Sequence, residues 1–315
     1  MRALVFDGEP RLLDVPEPEP QRGEALVRVL TAGVCNTDLE ILKGYMGFRG
    51  ILGHEFVGIV EESENAHLRG KRVVGEINCV CHRCQYCHRE MPNHCMNRSV
   101  LGIMGRNGAF AEYLTLPEEN LHIVPSSIRD DVASFTEPVA AAFRVLEQIR
   151  VTPDDRVIVL GDGKLGQLCA QVLALRTKRL LCVGRHAWKL DLLSNLHINV
   201  ASCEDPIESG ADIVVDATGS ANGLRRALEL ERPEGTVVIK STVAEHMALD
   251  LNMAIINEVK LIGSRCGPFR PALDALTLGN VEVRQMISET HGLNDAVHAL
   301  ERATANEVMK VLIHI

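Results

Sequence analysis

The sequence predicts an α/β protein of two domains, one of which contains a doubly wound parallel β-sheet. Its 315 residues are enough for two separate hydrophobic cores. Roughly the first 125 residues consist of short apolar runs separated by glycine and proline, a pattern typical of strands and turns. From about residue 130, apolar runs of strand length alternate with segments of helical periodicity. This alternation predicts a parallel sheet covered by helices.

The first part of the chain contains predicted strands followed by one predicted helix. The apolar run at residues 25–30 is an example of such a strand. Pro16, Pro18 and Pro20 alternate with acidic residues, so this stretch is predicted to be an extended surface link. Residues 131–149 have apolar side chains at helical spacing, with acidic residues at the start, and they predict a helix.

The second part of the chain contains the predicted parallel strands. Each is a short apolar run, and they lie at residues 156–161, 180–184, 212–216 and 236–239. A helical segment at 164–175 follows the first of them. The last predicted elements lie at 293–315, where a helix is followed by a strand that begins at Lys310.

Composition and charge exclude several classes of protein. The chain is 46% hydrophobic and 24% charged, which is ordinary for a globular protein. The net charge of −9 argues against DNA or an anionic membrane as a partner. No apolar stretch is long enough to cross a bilayer, and the first eight residues lack the apolar core of a secretion signal. We therefore expect a cytoplasmic protein that binds neither nucleic acid nor membranes.

Four of the ten cysteines have the spacing of a structural zinc site. Gaps of two, two and seven residues let the thiolates close a tetrahedron around one ion, and these residues are Cys81, Cys84, Cys87 and Cys95. Disulfides in a secreted protein are the alternative, which the Cys-x-x-Cys pairs disfavour. Cys79 is an alternative ligand. His82, His88 and His94 are predicted to be surface side chains, because four thiolates already complete such a site.

A glycine-rich turn follows the first strand of the second part and opens a helix. In the segment Gly161-Asp-Gly163-Lys-Leu-Gly166, the first glycine permits a tight turn and the second lets backbone amides approach a pyrophosphate. The third lets the helix pack closely on the strand, and the helix N-terminus favours phosphate. The segment therefore predicts a dinucleotide site. A glycine-rich turn without a ligand is the alternative.

The end of the second predicted strand bears on which dinucleotide binds. An NAD site usually has an acidic residue there to hold the ribose 2′-hydroxyl, but this chain has Gly184, Arg185 and His186. The Arg185 guanidinium could pair with a 2′-phosphate, and His186 could add a hydrogen bond. NADP(H) is therefore favoured over NAD(H). The alternative is that Arg185 is a solvated side chain and the site does not discriminate.

In the order of its motifs, the chain resembles the zinc-containing medium-chain dehydrogenase/reductase family, in its alcohol, polyol and threonine dehydrogenase branches. The matching motifs run in order through nearly the whole chain: Gly-Val-Cys-Asn-Thr-Asp at 33–38, Gly-His-Glu at 53–55, the four cysteines, Glu-Pro-Val-Ala at 137–140, the glycine-rich turn and Asp-Ala-Thr-Gly at 216–219. Their joint order is far more specific than any one of them.

The resemblance implies a fold and an assembly. It implies a catalytic domain with a GroES-like antiparallel β-barrel at residues 1–140 and 272–315, with the zinc lobe at 79–97. A Rossmann domain at 141–271 is inserted between these two segments. Relatives are dimers or tetramers, so a homodimer or homotetramer is expected. The apolar stretch at 253–256 is a candidate contact between subunits, although a place in the core would explain it equally well.

The resemblance also implies a catalytic zinc with an open coordination position. It assigns Cys35 and His54 as ligands, and Glu137 matches the third ligand of the polyol branch. Glu55 matches an acidic residue beside the metal that ligates it in some states. Which of the two carboxylates binds directly stays open.

Further residues match the shell around this metal and the cofactor. Asp38 matches the acid that orients the His54 ring, and Thr37 matches the hydroxyl that passes on the substrate proton. Glu40 either continues this relay or is solvated. Lys310 matches a basic residue that reaches the pyrophosphate, or it only flanks the last strand. The predicted cofactor-binding residues are Gly161, Gly163, Lys164, Leu165, Gly166, Gly184, Arg185, His186, Thr218 and Lys310.

The implied function is a zinc-dependent dehydrogenase that holds two zinc ions per chain. It would transfer a hydride between a small secondary alcohol, polyol or sugar and NADP(H) or NAD(H). The low aromatic content, 3%, favours a polar substrate over a long aliphatic alcohol. One alternative is a zinc-independent quinone or enone reductase of the same superfamily, against which the three metal-ligand motifs argue. The other is a nucleotide-binding protein without catalysis.

Overall fold

The computed structural model describes residues 1–241 and 251–315, and these form two compact units. Unit 1 consists of Met1–Glu137 and Met286–Ile315, and unit 2 is Pro138–Gln285. Unit 2 is thus an insertion into the chain of unit 1. The resemblance implied domain limits after residues 140 and 271. These limits stay a prediction.

The N-terminal segment of unit 1 consists mostly of short strands. The strands are β1 (Arg2–Phe6), β2 (Pro10–Asp14), β3 (Glu24–Gly33), β4 (Gly50–Ile51), β5 (Glu55–Glu62), β6 (Arg72–Gly75), β7 (Asn78–Cys79), β8 (Ser99–Leu101), β9 (Gly105–Arg106), β10 (Tyr113–Pro117) and β11 (Leu121–Ile123). The helices are α1 (Asn36–Leu42), α2 (Gln85–His88) and α3 (Asp130–Ala133), and single 3₁₀ turns lie at Tyr45–Gly47, Pro92–His94 and Glu118–Asn120.

The rest of the chain alternates helices and strands. Its elements are α4 (Thr136–Gln148), β12 (Val157–Leu160), α5 (Lys164–Ala174), β13 (Leu180–Gly184), α6 (Ala187–Ser194), β14 (Asn199–Ser202), β15 (Ala211–Asp216), α7 (Ala221–Leu230), β16 (Glu231–Ile239), α8 (Asn252–Ile256), β17 (Lys260–Gly263), α9 (Phe269–Thr277), β18 (Ile287–Gly292), α10 (Ala296–Arg302) and β19 (Lys310–His314). Two 3₁₀ turns lie at Arg284–Met286 and Leu293–Asp295.

Strand β3 lies at the centre of the largest sheet of unit 1. The strand order is β11-β6-β5-β3-β19-β18, and β10 also pairs with β3. All pairs are antiparallel except β18 with β19. The register places Gly33, the last residue of β3, opposite Glu55 on one side and Leu312 on the other. The C-terminal strand of the chain is thereby held beside residues from the first sixty.

Unit 2 is built on one parallel sheet with the strand order β14-β13-β12-β15-β16-β17. Each neighbouring pair is parallel. All four residues of β12 are buried, and two of them, Ile158 and Leu160, share an apolar core with residues of β15 and α7. In such a sheet, ligands bind beyond the carboxyl ends of the strands, where the order reverses, here between β12 and β15.

The helices differ from the sequence-based expectation in two places. Helices α1 and α2 lie within the first 125 residues, for which only strands and turns were predicted. The helix predicted at 131–149 is two helices, α3 and α4, separated by Ser134 and Phe135. The Ser134 hydroxyl donates to the Asp131 carbonyl and the Thr136 hydroxyl to the Ala133 carbonyl, so side chains satisfy backbone groups at the break. The longest described helix, α4, has 13 residues, and no described helix has the length and apolarity needed to span a membrane.

Candidate active site

Three potential metal ligands meet beside the central sheet of unit 1. Cys35 caps the N-terminus of α1, immediately after β3, while His54 precedes β5 and Glu55 begins it. One ligand atom from each lies within 4.8 Å of the others. His54 and Glu55 are buried, with exposed fractions of 2% and 1%, and Cys35 is half-buried. A thiol, an imidazole and a carboxylate at this distance are a suitable ligand set for zinc.

Asp38 fixes the backbone beside two of these ligands. It lies in the first turn of α1 and is fully buried. Its Oδ2 accepts a hydrogen bond from the Cys35 amide at 2.8 Å, and its Oδ1 accepts one from the Gly53 amide at 3.2 Å. The same Oδ1 lies 3.4 Å from His54 Nδ1. One carboxylate therefore holds both peptide segments and faces the imidazole ring, as predicted for an orienting acid.

The surroundings of His54 suit a bound cation. Burial by itself would lower the pKa of His54, but the negative charges of Asp38 and Cys35 outweigh it and raise this pKa well above its usual value. His54 Nδ1 is buried and has no hydrogen-bond partner among the described residues. The negative charges that favour a proton on His54 would equally favour a zinc ion at its other ring nitrogen, Nε2, and the three residues fit the donor set of zinc.

Glu55 is bound by a lysine from the other end of the chain. Lys310 Nζ, in β19, forms an ion pair with Glu55 Oε2, and both side chains are at most 2% exposed. Lys310 Nζ also donates to the Val34 carbonyl at 3.1 Å and lies 5.3 Å from the centre of the Phe135 ring. From the sequence, Lys310 either reaches the pyrophosphate or only flanks the last strand. The structure places its ammonium group at the metal-ligand cluster, and a contact with the cofactor stays a prediction.

Gly33 makes room for this ion pair. A Cβ atom at this position would lie 2.7 Å from Glu55 Oε2 and 2.8 Å from Lys310 Cε. Gly53, which precedes His54, has φ of +94°, and a Cβ there would lie 2.6 Å from the buried Phe110 ring. Glycine is therefore required beside two of the ligands for steric reasons, and at Gly53 also for its backbone conformation.

The other residues predicted for this site lie around the cluster. Thr37 Oγ1 is 3.7 Å from Cys35 Sγ. Glu40 is paired with Lys43 at 2.9 Å on the same helix. Glu137 lies in the first turn of α4 and is half-buried, but it is not one of the three residues that share the 4.8 Å cluster.

The four cysteines of the predicted zinc lobe come together in unit 1. Cys84 Sγ lies 3.5 Å from Cys87 Sγ and 3.9 Å from Cys95 Sγ, and Cys95 Sγ lies 3.5 Å from Cys81 Sγ. A tetrahedron with zinc–sulfur bonds of about 2.3 Å has edges of about 3.8 Å. The four thiols are thus spaced as ligands of one ion. Cys79 is buried outside this group, and His82, His88 and His94 are exposed.

Backbone amides favour the thiolate at two cysteines of this lobe, whereas burial and the neighbouring thiols raise the pKa of Cys87 to about 11. A hydrogen bond from the Arg83 backbone, assisted by the Asn97 side chain, lowers the pKa of Cys81 to about 5. The Met96 backbone does the same for Cys84, whose pKa is also lowered. Amides that point at sulfur stabilise its negative charge, which zinc-binding thiolates require.

The glycine-rich turn has the geometry of a dinucleotide loop. Gly161 has φ of +110°, and a Cβ there would lie 2.6 Å from the Ala217 carbonyl oxygen. A Cβ at Gly166 would overlap the Gly161 carbonyl, so the helix packs directly on the turn. A Cβ at Gly163 would have no atom within 4 Å, which leaves open space above the N-terminus of α5. The three glycines thus permit the tight turn, the close helix packing and the open space that binding of a pyrophosphate requires.

Other predicted cofactor residues lie at the strand ends of the same sheet. Lys164 and Leu165 begin α5 and are half-buried. Thr218 follows β15, and its hydroxyl donates to Asp216 Oδ1 at 2.7 Å. Arg185 is exposed and His186 is half-buried immediately after β13.

One residue near the end of β13 was not identified as important from the sequence. Asp162, the residue between the first two glycines, is 6% exposed. Its Oδ2 accepts hydrogen bonds from the Arg185 amide at 2.7 Å, the His186 amide at 2.6 Å and His186 Nδ1 at 3.0 Å. The motif places no requirement on this position, so no pattern in the sequence indicated its role.

Comparison with known proteins supports a dehydrogenase. Residues 21–126 match the model of the alcohol dehydrogenase GroES-like domain. The chain is 31% identical over 304 residues to the erythritol/L-threitol dehydrogenase of Mycolicibacterium smegmatis, covering 85% of this chain and 84% of that protein. It is 26% identical over 340 residues to a sorbitol dehydrogenase of Halalkalibacterium halodurans, covering 99% of both.

A solved structure extends this similarity to the fold. A protein of Sinorhizobium meliloti 1021 described as a zinc-binding dehydrogenase, bound to NADP, superposes with a TM-score of 0.90 at 28% identity, covering 100% of this chain and 99% of that one. The fold is that of an oxidoreductase with a GroES-like part and a Rossmann part. The chain belongs to the medium-chain dehydrogenase/reductase family. The fold class and the family predicted from the sequence are confirmed.

Proposed function

We propose that this protein is a zinc-dependent dehydrogenase that transfers a hydride between a secondary hydroxyl group of a polyol or sugar and NADP(H). The observation that carries the proposal is the buried cluster of Cys35, His54 and Glu55, with Asp38 behind it. A zinc-independent reductase of quinones or enones would have no use for this cluster. A nucleotide-binding protein without catalysis would not need it either.

Cys35 and His54 are the proposed constant ligands of the catalytic zinc. When bound, zinc would supply Lewis acidity to the substrate oxygen. Asp38 faces His54 Nδ1, which leaves Nε2 as the ring nitrogen for the metal. The third ligand is a carboxylate, either Glu55, which lies in the cluster, or Glu137. Lys310 would hold Glu55 by its ion pair whenever this carboxylate is not bound to the metal.

Thr37 is the proposed first acceptor of the substrate proton. Its hydroxyl lies beside Cys35, in the first turn of α1. Glu40 stands three positions further along the helix, on the same face, and would pass the proton to solvent. Its side chain is partly exposed and bound to Lys43, so it has access to water.

A second zinc is proposed for Cys81, Cys84, Cys87 and Cys95, where it would close the lobe without an open position. The NADP(H) site is proposed at the glycine-rich turn, with Arg185 and His186 facing the 2′-phosphate and Thr218 at the end of β15. The nicotinamide would supply the hydride chemistry. NADP bound to the relative from Sinorhizobium meliloti supports this cofactor.

The substrate class is proposed from the relatives. They include dehydrogenases of erythritol and L-threitol, sorbitol and D-arabitol phosphate, all of them polyols or polyol phosphates. A chain with 3% aromatic residues has few aromatic side chains to line an apolar substrate pocket, which fits a polar substrate.

A homodimer or homotetramer is proposed for the assembly, with a subunit contact through the β17 edge of the parallel sheet. Among the described residues, β17 pairs only with β16. Exposed apolar residues occur from the start of α8 to β17, with exposed fractions of 37% to 78%, and are called the β17 edge patch: Leu251, Met253, Ile255, Ile256 and Leu261. A second copy could extend the sheet and cover this patch. A cytoplasmic location is proposed because the zinc thiolates need a reducing compartment.

The test is a substrate panel with purified enzyme. Erythritol, sorbitol and D-arabitol are offered with NADP⁺ or NAD⁺, next to a long aliphatic alcohol as the control substrate. We expect reduction of NADP⁺ by at least one polyol and loss of that turnover in His54→Ala. Turnover of quinones or enones by a zinc-free sample would contradict the proposal.

The choice between the two carboxylates is tested by metal analysis. Zinc content is compared in Glu55→Ala, Glu137→Ala and the double variant. The single variant that loses about one zinc per chain identifies the ligand. Unchanged zinc in all three would remove the carboxylate ligand from the proposal.

A further inference from the structure

We propose that Asp162 determines the cofactor specificity of this protein. Its side chain fills the corner at the end of β13 where NAD sites carry an acid that binds the ribose. It also holds Arg185 and His186 in place for a 2′-phosphate. This inference rests on the proposed NADP(H) preference and deepens it. It is carried by the contacts around the end of β13, all of them within unit 2.

The first contact is steric. Gly184 ends β13, the position where NAD-binding sheets carry the acid that holds the ribose 2′-hydroxyl. A Cβ atom on Gly184 would lie 2.5 Å from Asp162 Cβ, 2.6 Å from its Oδ2 and 2.8 Å from its Cγ. Real Cβ atoms do not approach so closely, so Asp162 keeps this position a glycine. The acid that would repel a 2′-phosphate is thereby excluded.

The second contact is the set of hydrogen bonds. Three donors, two backbone amides and His186 Nδ1, converge on Asp162 Oδ2 at 2.6 to 3.0 Å. They bend the chain after β13 around the carboxylate and fix the imidazole ring. Since Nδ1 is used, Nε2 is the nitrogen of His186 that is left for a ligand. It makes no hydrogen bond within the described part of the chain.

Asp162 itself is poorly suited to bind a ribose hydroxyl. Its side chain is 9% exposed, and its Oδ2 already accepts three hydrogen bonds. Burial would raise the pKa of Asp162, but the amides of His186 and Arg185 and the imidazole outweigh this effect and lower it. The carboxylate is therefore ionised, and its Oδ2 has little capacity left for a ligand, whereas its Oδ1 lies 3.2 Å from the same His186 Nδ1.

Positive charge surrounds the same corner. Arg185 is exposed after β13, and Lys189 follows one turn into α6, where its ammonium group lies 5.2 Å from the Trp188 ring centre. The Lys189 carbonyl accepts from Gln167 Nε2 at 2.6 Å, which ties α6 to α5. The basic side chains of this loop are thus set on a backbone that Asp162 and Gln167 anchor.

The experiment measures cofactor binding to the zinc-loaded protein without substrate. Dissociation constants of NADP⁺, NAD⁺, 2′-AMP and 5′-AMP are determined by calorimetry and by fluorescence of Trp188, the only tryptophan in the sequence. The variants are Asp162→Asn, Gly184→Asp, the double variant Asp162→Gly/Gly184→Asp, and Arg185→Gln. Asp191→Asn, an exposed acid on the same helix α6, is the matched control. Thermal unfolding of each variant confirms that it folds.

The expected pattern is specific. Asp162→Asn weakens NADP⁺ and 2′-AMP by about tenfold, because charge-assisted hydrogen bonds are lost, and changes NAD⁺ and 5′-AMP by less than about twofold. Gly184→Asp alone weakens both dinucleotides, because the new side chain displaces Asp162. The double variant removes the clash and binds NAD⁺ more tightly than NADP⁺. Asp191→Asn behaves as wild type.

Three outcomes overturn the inference, and they are distinguishable. If Gly184→Asp alone switches the preference to NAD⁺ as well as the double variant does, Asp162 does not control this corner. If Asp162→Asn weakens NAD⁺ and NADP⁺ equally, the residue supports only the loop. If wild type binds NAD⁺ as tightly as NADP⁺ and Arg185→Gln changes neither, the proposed cofactor preference itself fails, and the inference fails with it.

Discussion

Two buried carboxylates in this protein differ in what surrounds them. Glu55 is paired with Lys310, whereas both carboxylate oxygens of Glu231 are buried without a hydrogen-bond partner in the described residues. Burying a charge is unfavourable unless a partner compensates for it. The two residues therefore lead to opposite predictions for substitution.

Replacement of Lys310 leaves the Glu55 charge buried and unpaired. We expect Lys310→Met to lower the free energy of unfolding of the zinc-free protein by about 3 to 5 kcal/mol. Zinc should restore part of this loss, because Glu55 can then turn to the metal. Thermal unfolding with and without zinc measures both effects. Lys43→Met, which removes the exposed partner of Glu40, is the control and should cost less than about 1 kcal/mol.

Glu231 should make stability fall as the pH rises. Burial raises the pKa of Glu231 to about 7, although the charge of Arg232 opposes this. Between about pH 4.5 and 7 the folded chain binds more protons here than the unfolded chain, so the contribution of Glu231 to stability decreases across this window and stays low above it. Glu231→Gln should therefore be more stable than wild type at pH 8 by about 1 to 2 kcal/mol, but not at pH 4.5. Equal stabilisation at both values, measured by denaturant unfolding, would contradict this.

At the scale of elements, strands β3, β5 and β19 assemble the metal-ligand cluster. Their register places Gly33 of β3 opposite Glu55 of β5 on one side and Leu312 of β19 on the other. Gly33→Ala would push its Cβ into the Glu55–Lys310 pair, which cannot move freely because both side chains are buried. We expect a loss of about 1 to 3 kcal/mol in unfolding free energy, together with weaker zinc binding.

The matched control for this substitution lies in the same unit. A Cβ at Gly292, at the end of β18, would have no atom within 4 Å. Gly292→Ala should keep the stability and zinc content of wild type. Equal effects of the two substitutions on zinc binding would show that Gly33 is not needed for the cluster.

The sequence revealed those parts of the site that are close together along the chain. The four lobe cysteines and the glycine-rich turn have spacings that fix their geometry locally, and the strands 180–184 and 212–216 lie within a residue of β13 and β15. The pairing of Lys310 with Glu55 spans 255 positions and depends on which strand joins β3, which local patterns do not encode. Asp162 was missed because its role is a contact with β13, across the sheet.

At the scale of the whole molecule, the β17 edge patch predicts self-association. Ile255 and Ile256 are the most exposed apolar residues of the patch, at 70% and 78%. Ile255→Lys/Ile256→Lys should halve the mass of the proposed homodimer or homotetramer, because two charges would be buried in the contact. Light scattering after size-exclusion chromatography measures the mass. Leu278→Lys, 73% exposed and outside the patch, is the control and should leave the mass unchanged.

The central claim is that the protein binds two zinc ions in two separate clusters. The most direct test is the zinc content per chain of wild type, His54→Ala and Cys87→Ser after dialysis against metal-free buffer. We predict about two ions in wild type and about one in each variant, with NADP⁺ binding retained in His54→Ala. One ion in wild type that His54→Ala does not remove would contradict the claim.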